Sequence, residues 1–368
     1  MDPLDLREEM PALDDVTYLN TGAASPVPRA VVEAATDEIE YQSYAAPAGE
    51  GMYPALFDSL ETSREAVAGF LGADLDEVAL TNSTADGISR IATALPWQAG
   101  DVVVRTDCEH SAGILPWERL RDVYGVEVRV LETHEGRVDL DDAKTVLDGA
   151  DLLCLSSITW NYGTRFSVAE LTDIAHDAGA LTLVDAVQSP GQVDLDITEW
   201  GADFAVGAGH KWCCGPWGAG FLYVADDATD ALEPTRVGYR SVAAPDDDAF
   251  EFAPGVRRLE VGTTSPAPHA GLRAALDALE SIGLSTVEDR IERLTDRLKD
   301  GLDDDRLLSP REYESGLVTI ADDDPEATVE RLSEAGIAIR SLPSPAALRA
   351  SVHVFNTADD VDTLLDAL

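Results

Sequence analysis

Lysine is scarce in this chain: among 368 residues only Lys144, Lys211 and Lys299 are lysines, and arginine supplies the rest of the 26 basic side chains. Wherever a solvated cation would serve, arginine is used. Basic charge as a whole is also short, 26 residues against 70 acidic ones for a formal charge of −44. That balance argues against nucleic acid and anionic membrane surfaces as partners, because both would be repelled. No run of about 18 apolar residues is present to cross a bilayer, and the opening MDPLDLREEM lacks the basic start and apolar centre of a secretory signal. A soluble, cytoplasmic protein is expected. The four cysteines, Cys108, Cys154, Cys213 and Cys214, are too few and too irregular for a disulfide framework or a zinc site, and read as small buried hydrophobes. A Gly-x-Gly-x-x-Gly turn after a strand is missing as well, which argues against a nicotinamide dehydrogenase.

What the chain does have is material for a core, with 45% hydrophobic residues. Low-complexity disorder is therefore not expected, and the Asp-rich patches Asp246–Asp248, Asp303–Asp305 and Asp322–Asp324 read as solvated loops or helix ends. So large a charge of one sign repels itself unless concentrated salt screens it, and at about 1 M ionic strength the screening length is roughly 3 Å. A salt-rich cytoplasm follows as an expectation.

Between residues 77 and 224, short β-rich runs alternate with helical patterns: Glu77–Thr81, Asp101–Arg105, Val126–Leu131, Asp151–Leu155, Ala180–Val184, Phe204–Val206 and Ala219–Val224. Val168, Leu171, Ile174 and Ala175 give one intervening segment a single apolar face. This alternation predicts an α/β fold with a mostly parallel central sheet covered by helices. After Gly262 the pattern changes to long helical stretches near Gly271–Ser281 and Val287–Leu302, then shorter β and helical runs. A large domain over residues 15–262 and a smaller α+β domain of 1–14 with 263–368 are expected, with Tyr239–Pro254 a loop near the boundary.

One of the scarce lysines lies in the apolar, glycine-bounded run Gly207-Ala-Gly-His-Lys-Trp-Cys-Cys-Gly-Pro-Trp-Gly-Ala-Gly220. A desolvated amine can lose its proton and form a Schiff base, which a guanidinium cannot. The predicted strand Ala180–Val184 runs into Asp185-Ala-Val-Gln188, 26 positions before Lys211. Ligands of open α/β sheets gather beyond the carboxyl ends of strands. On its own a strand-end aspartate is more often a helix cap. With Lys211 it describes a site for pyridoxal 5'-phosphate: the lysine takes the aldehyde, Asp185 keeps the ring nitrogen protonated, and Gln188 donates to the ring oxygen. The segment Thr81-Asn-Ser-Thr-Ala-Asp-Gly-Ile-Ser89 follows a strand and opens a helix, where hydroxyls and free N–H groups can cradle a phosphate.

These motifs resemble the class V aminotransferase and cysteine desulfurase family of fold-type I pyridoxal-phosphate enzymes. The resemblance runs from Tyr18-Leu-Asn-Thr-Gly22 to Arg349-Ala-Ser351 and Phe355-Asn-Thr357, and its most specific pieces are Val184-Asp-Ala-Val-Gln188 and Gly209-His-Lys211 with Gly215-Pro216. It implies Lys211 as the Schiff-base lysine, Asp185 and Gln188 at the ring, and Ser83, Thr84, Ala85 and His210 at the phosphate. It also implies His110 stacked on the ring, Arg349 on the substrate α-carboxylate, and Thr263 reaching the phosphate of a partner subunit in a homodimer.

The family pattern is not followed throughout. A cysteine desulfurase carries a mobile cysteine between the arginines at the positions of Arg340 and Arg349, yet this chain reads Arg340-Ser-Leu-Pro-Ser-Pro-Ala-Ala-Leu-Arg349. A persulfide mechanism lacks its nucleophile there. Trp160 stands where the desulfurase pattern has a substrate-side asparagine, with Asn161 one position on, so both are expected on the substrate side. Ser156–Phe166 looks closer to isopenicillin-epimerase-like proteins and carbon–sulfur lyases, and Ala208 removes one possible phosphate donor. The resulting expectation is an amino-acid-processing enzyme, an aminotransferase first, with a carbon–sulfur lyase or cysteine-desulfurase-like β-elimination, an isopenicillin-epimerase-like activity, or a non-catalytic cofactor-binding scaffold as alternatives.

Overall fold

The computed structural model describes residues 1–247 and 250–368. Of the aspartate patch Asp246–Asp248, the last residue lies outside the described part; Asp246 and Asp247 are exposed.

Seven strands form the main sheet: β1 (Val78–Thr81), β2 (Val102–Thr106), β3 (Glu127–Leu131), β4 (Leu152–Ser156), β5 (Leu181–Asp185), β6 (Phe204–Ala208) and β7 (Gly220–Val224), in the order β1-β7-β6-β5-β4-β2-β3. Only β7 runs against its neighbours. The seven runs read from the sequence are these strands, each displaced by two residues or fewer. They were legible because both faces of the sheet are covered: Val104, Leu153, Leu155 and Val184 enter one core, and Val103, Leu152, Cys154 and Leu183 the other. Strands buried on both sides read as continuous apolar runs, and each buried Leu or Val contributes about 1.5–3 kcal/mol.

A second sheet, β8 (Leu317–Ala321), β9 (Arg340–Pro343) and β10 (Ala346–Ser351), is antiparallel with β10 at its centre. The helices Ala267–Ile282, Leu284–Asp300, Pro325–Glu334 and Ala358–Ala367 accompany it. The chain's beginning joins this part, since Thr17–Tyr18 pairs in parallel with Ile337–Ala338 and Arg7 donates to both oxygens of Asp360 at 2.8 and 3.2 Å. The described residues of Tyr239–Pro254 are irregular apart from a bridge between Val242 and Phe252. Asp324 caps the helix Pro325–Glu334, accepting from Ala327 N–H at 3.2 Å, and Asp303–Asp305 is a solvated turn.

In the main sheet β1, β2, β4, β5 and β6 point the same way, so Thr81, Thr106, Ser156, Asp185 and Ala208 end along one edge. The segments leaving that edge carry the chemistry.

Candidate active site

At this edge lies a cavity of about 260 Å³, bordered by Ser83, Thr84, Ala85, His110, Trp160, Asp185, Gln188, His210, Lys211, Arg340 and Arg349 among others. It brings together all but two of the residues singled out in the sequence. Asn161 does not line it: its side chain turns to the carbonyl of Ser344, donating at 3.2 Å. The shift of one position that puts Trp160 at the cavity sends Asn161 the other way. Thr263 is exposed beside a second cavity with Arg64, Asn82, Arg236 and Glu260, and its N–H donates to Tyr239 Oη at 2.9 Å. It is not a wall of the first cavity.

Ser83 caps the helix Thr84–Ala94, its hydroxyl accepting from Asp86 N–H at 3.1 Å. The helix's free N–H groups face outward at that end, and the Thr84 hydroxyl is buried without a partner. A helix start with an orphaned hydroxyl is a ready anion cradle. His210 borders the same cavity with its ring stacked on Trp217, centroids 4.0 Å apart. Burial, then the Lys211 ammonium, push His210 down to about 4, so it is a neutral hydrogen-bonding ring.

Lys211 follows β6 and opens into the cavity. Burial lowers its amine to about 8, with Asp185 pulling it up and Arg349 and Arg340 pushing it down. Asp185 ends β5 and is 3% exposed. Its Oδ1 accepts Val187 N–H at 3.0 Å. Burial raises its carboxyl, and the Lys211 charge and that hydrogen bond draw it back. A cation placed in the cavity would complete its compensation. Gln188 is anchored: its amide donates to Gly22 O at 3.1 Å and accepts from Trp212 Nε1 at 2.6 Å. One amide hydrogen remains for a ligand.

The opposite wall is aromatic and cationic. His110 stands edge-on to Trp160, centroids 5.6 Å apart at 89°, and its Nδ1 accepts Ala112 N–H at 3.3 Å. Burial, Lys211 and the two arginines lower its pKa. Arg349, 1% exposed, donates from Nη1 to Trp160 O at 2.9 Å, while Nε and Nη2 are buried without partners. Burial, then Arg340, lower it to about 9.

Two contributors were not assigned roles from the sequence. Glu109 lies behind the cavity, its carboxylate held by Thr106 and by both the N–H and hydroxyl of Ser156. An acid directly before His110 was the available signal. Arg340 reaches the cavity because β9 and β10 form a tight hairpin that sets it opposite Arg349.

The residues fit pyridoxal phosphate: an amine able to lose its proton, a buried carboxylate in want of a cation, a free amide hydrogen, a helix start with an orphaned hydroxyl, and a flat imidazole. Among the described residues no cysteine borders the cavity, and all four are buried. Burial pushes the thiols of Cys108 and Cys214 up to about 12, which removes them as nucleophiles. Among the described residues no group of three or more His, Cys, Asp or Glu forms a metal cluster, and no helix is long and apolar enough to cross a membrane.

The chain is similar along its whole length to proteins of known kind. It shares 34% identity over 391 residues with a protein of Methanothermobacter thermautotrophicus named probable cysteine desulfurase, covering 99% of this chain and 96% of that one. Its backbone matches the apo structure of a cysteine desulfurase from Thermococcus onnurineus NA1 with a TM-score of 0.91 at 30% identity, over 100% and 97% of the two chains. A cystine C–S lyase in complex with its product cysteine persulfide matches equally in shape, TM-score 0.91 at 27% identity over 97% and 98%. The family model described as aminotransferase class-V matches residues 17–364. With that match covering nearly every element described above, the chain belongs to the class V aminotransferase family of α/β, fold-type I pyridoxal-phosphate enzymes.

Proposed function

We propose that this enzyme binds pyridoxal phosphate and acts on an α-amino acid, with transamination as its reaction. The observation that carries the reading is the convergence of Lys211, Asp185, the Ser83–Ala85 turn and Arg349 on one cavity. When bound, the cofactor supplies an electron-poor ring that stabilises negative charge at the substrate α-carbon. Lys211 would hold the cofactor at its aldehyde carbon and, as a free amine, would hold and move the substrate α-proton, a task matched by an amine near 8. Asp185 would serve the ring nitrogen as its counter-charge, and Gln188 would donate its remaining amide hydrogen to the ring oxygen. Ser83, Thr84, Ala85 and His210 would hold the phosphate, and His110 would lie against the ring. Arg349 takes the α-carboxylate on Nε and Nη2, a two-pronged charge-assisted bond that orients the α-carbon toward Lys211. Trp160 borders the substrate and keeps water from it.

The exposure of Thr263 supports a homodimer in which it reaches the partner's phosphate. The charge of −44 supports a salt-rich cytoplasm as the working environment. The separate sheets support a division into a large unit over residues 15–262 and a small one of 1–14 with 263–368, although the pairing of Thr17–Tyr18 with Ile337–Ala338 favours moving the first boundary to about residue 20.

A second reading, β-elimination at a carbon–sulfur bond, is favoured by the likeness to the cystine C–S lyase. An enzyme-bound persulfide is disfavoured because no described cysteine borders the cavity. Incubation with pyridoxal phosphate, borohydride reduction and peptide mass analysis test the cofactor role: a single label on Lys211 is expected, and a label retained in Lys211→Ala would sink it. Alanine with a keto acid, run beside cysteine and cystine, separates the reactions by new amino acid against pyruvate and sulfide.

A further inference from the structure

Gln188 borders the cavity with an amide whose two ends are chemically opposite, and the way it points decides whether a ligand oxygen meets a donor or an acceptor. Two neighbours fix that direction. Trp212 Nε1 donates to Gln188 Oε1 at 2.6 Å, and Gln188 Nε2 donates to Gly22 O at 3.1 Å. Turning the amide over would set two donors face to face at Trp212 and two acceptors face to face at Gly22. Trp212 makes the shorter of the two bonds. An indole N–H can only donate, so the end of the amide that faces it has to be the oxygen. Trp212 is fully buried and is not a wall of the cavity, so it acts on a ligand there only through what it holds.

The indole is itself held in place. His353 Nδ1 accepts Val354 N–H at 2.6 Å, so the ring hydrogen sits on Nε2, which donates to Trp212 O at 2.8 Å. The His353 ring stacks on the indole with centroids 5.5 Å apart at 22°, and Phe355 stacks behind it at 4.9 Å and 9°. Trp212 is thus gripped by its backbone and by its ring, at the position directly after Lys211. We propose that Trp212 is a positioning residue: its N–H locks the Gln188 amide with the nitrogen toward the cavity, so that the ring oxygen of a bound cofactor meets a donor. This rests on the cofactor reading above and adds to it the residue that orients Gln188.

The test is Trp212→Phe, which keeps a ring for His353 and removes the N–H, made in the wild type and in Gln188→Ala. Where Trp212→Phe does not fold, 3-benzothienylalanine at this position keeps the indole outline with sulfur in place of N–H. The readouts, on cofactor-loaded protein at one fixed high salt concentration, are the pH midpoint of the bound cofactor's visible absorbance change and the cofactor dissociation constant. A donor aimed at an ionised oxygen favours the ionised form, so losing the donor raises the midpoint. Trp212→Phe should raise it by about 0.3–1 pH unit and weaken cofactor binding about three- to tenfold, the scale of one hydrogen bond to a charged group. Gln188→Ala should shift the midpoint at least as far, and adding Trp212→Phe to it should move it by less than about 0.2 pH unit more. An unchanged midpoint in Trp212→Phe overturns the proposal. A shift of the same size with Gln188 and without it overturns it too, since Trp212 would then act through Lys211. A midpoint that Gln188→Ala leaves in place overturns the ring-oxygen role of Gln188 and the proposal with it. Protein that takes up no cofactor overturns the cofactor reading itself, a separate result.

Discussion

Ser156 grips Glu109 twice, its N–H reaching Oε1 at 2.9 Å and its hydroxyl reaching Oε2 at 2.7 Å. Ser156 is also the register partner of Asp185 on the adjacent strand, so Glu109 behind the cavity lies close to Asp185 in its wall. Burial, with Asp185 pushing the same way, holds the Glu109 carboxyl up at about 7. A carboxyl raised on folding binds its proton more tightly in the folded chain. Its contribution to stability is complete below the ordinary value near 4.5 and is lost as pH climbs through about 7. Glu109→Gln keeps the shape, can donate to the Ser156 hydroxyl and does not titrate. Between pH 5 and 8 the variant should gain on the wild type by on the order of 2 kcal/mol, read from denaturant unfolding at constant salt. A difference that stays flat with pH would reject the buried-acid account.

The reactivity of Lys211 should follow its own low pKa. In reductive methylation with formaldehyde and borohydride, resolved by peptide mass, Lys211 of the cofactor-free protein should reach half its maximal rate near pH 8. Lys144, whose amine is raised by its hydrogen bond to Asp141, serves as an internal control still protonated there. Asp185 pulls the Lys211 amine upward, so Asp185→Asn should move the Lys211 profile to lower pH and leave Lys144 alone. A Lys211 profile that coincides with that of Lys144 would contradict the desolvated amine.

How far the sequence reveals this site depends on what each residue needs from distant parts of the chain. Leu152–Ser156 is buried on both faces, and its apolar run declares a strand without help. The helices Arg29–Glu40 and Met52–Leu71 are not legible, because exposed Val32, Ile39, Met52 and Tyr53 put apolar residues on the solvent side and blur the helical period. Lys211 and Asp185 were legible from residue type and from their place at strand ends. Arg340 was not, because its position follows from the pairing of β9 with β10 across the short turn at Ser344 and Pro345. Asn161 was misplaced for a related reason: facing is decided residue by residue, and a shift of one reverses it. Thr263 lines the second cavity and not the first, and its sequence neighbours do not reveal which.

The backbone under Lys211 depends on Gly191. Its φ is +94°, and a Cβ there would lie 2.3 Å from Trp212 O, one residue from the lysine. Backbone cannot yield as a flexible side-chain end can. Gly191→Ala should therefore cost on the order of 2–4 kcal/mol, combining left-handed strain with overpacking. It should also reduce borohydride trapping at Lys211 in the fraction that stays folded. Unfolding curves with no loss of midpoint would mean that the Pro190–Val193 turn adapts more freely than its buried packing implies.

Salt should stabilise the chain through screening, and the two ways salt acts can be separated. Exposed like charges separated by more than a screening length cease to interact, and that length falls from about 10 Å at 0.1 M to about 3 Å at 1 M. With 70 acidic and 26 basic residues, the unfolding midpoint should rise steeply up to about 1 M potassium chloride and flatten beyond it if repulsion dominates. Strengthening of apolar burial would instead favour sulfate over chloride at equal ionic strength. The solvated turn Asp303–Asp305 offers a local check, since its side chains are exposed. Changing all three to asparagine should raise stability at low salt and lower the salt slope while leaving the high-salt plateau within about 0.5 kcal/mol, as expected for surface positions. Because the remaining charge is still large, the slope should shrink without vanishing. An unchanged slope would place the salt response in burial rather than in charge.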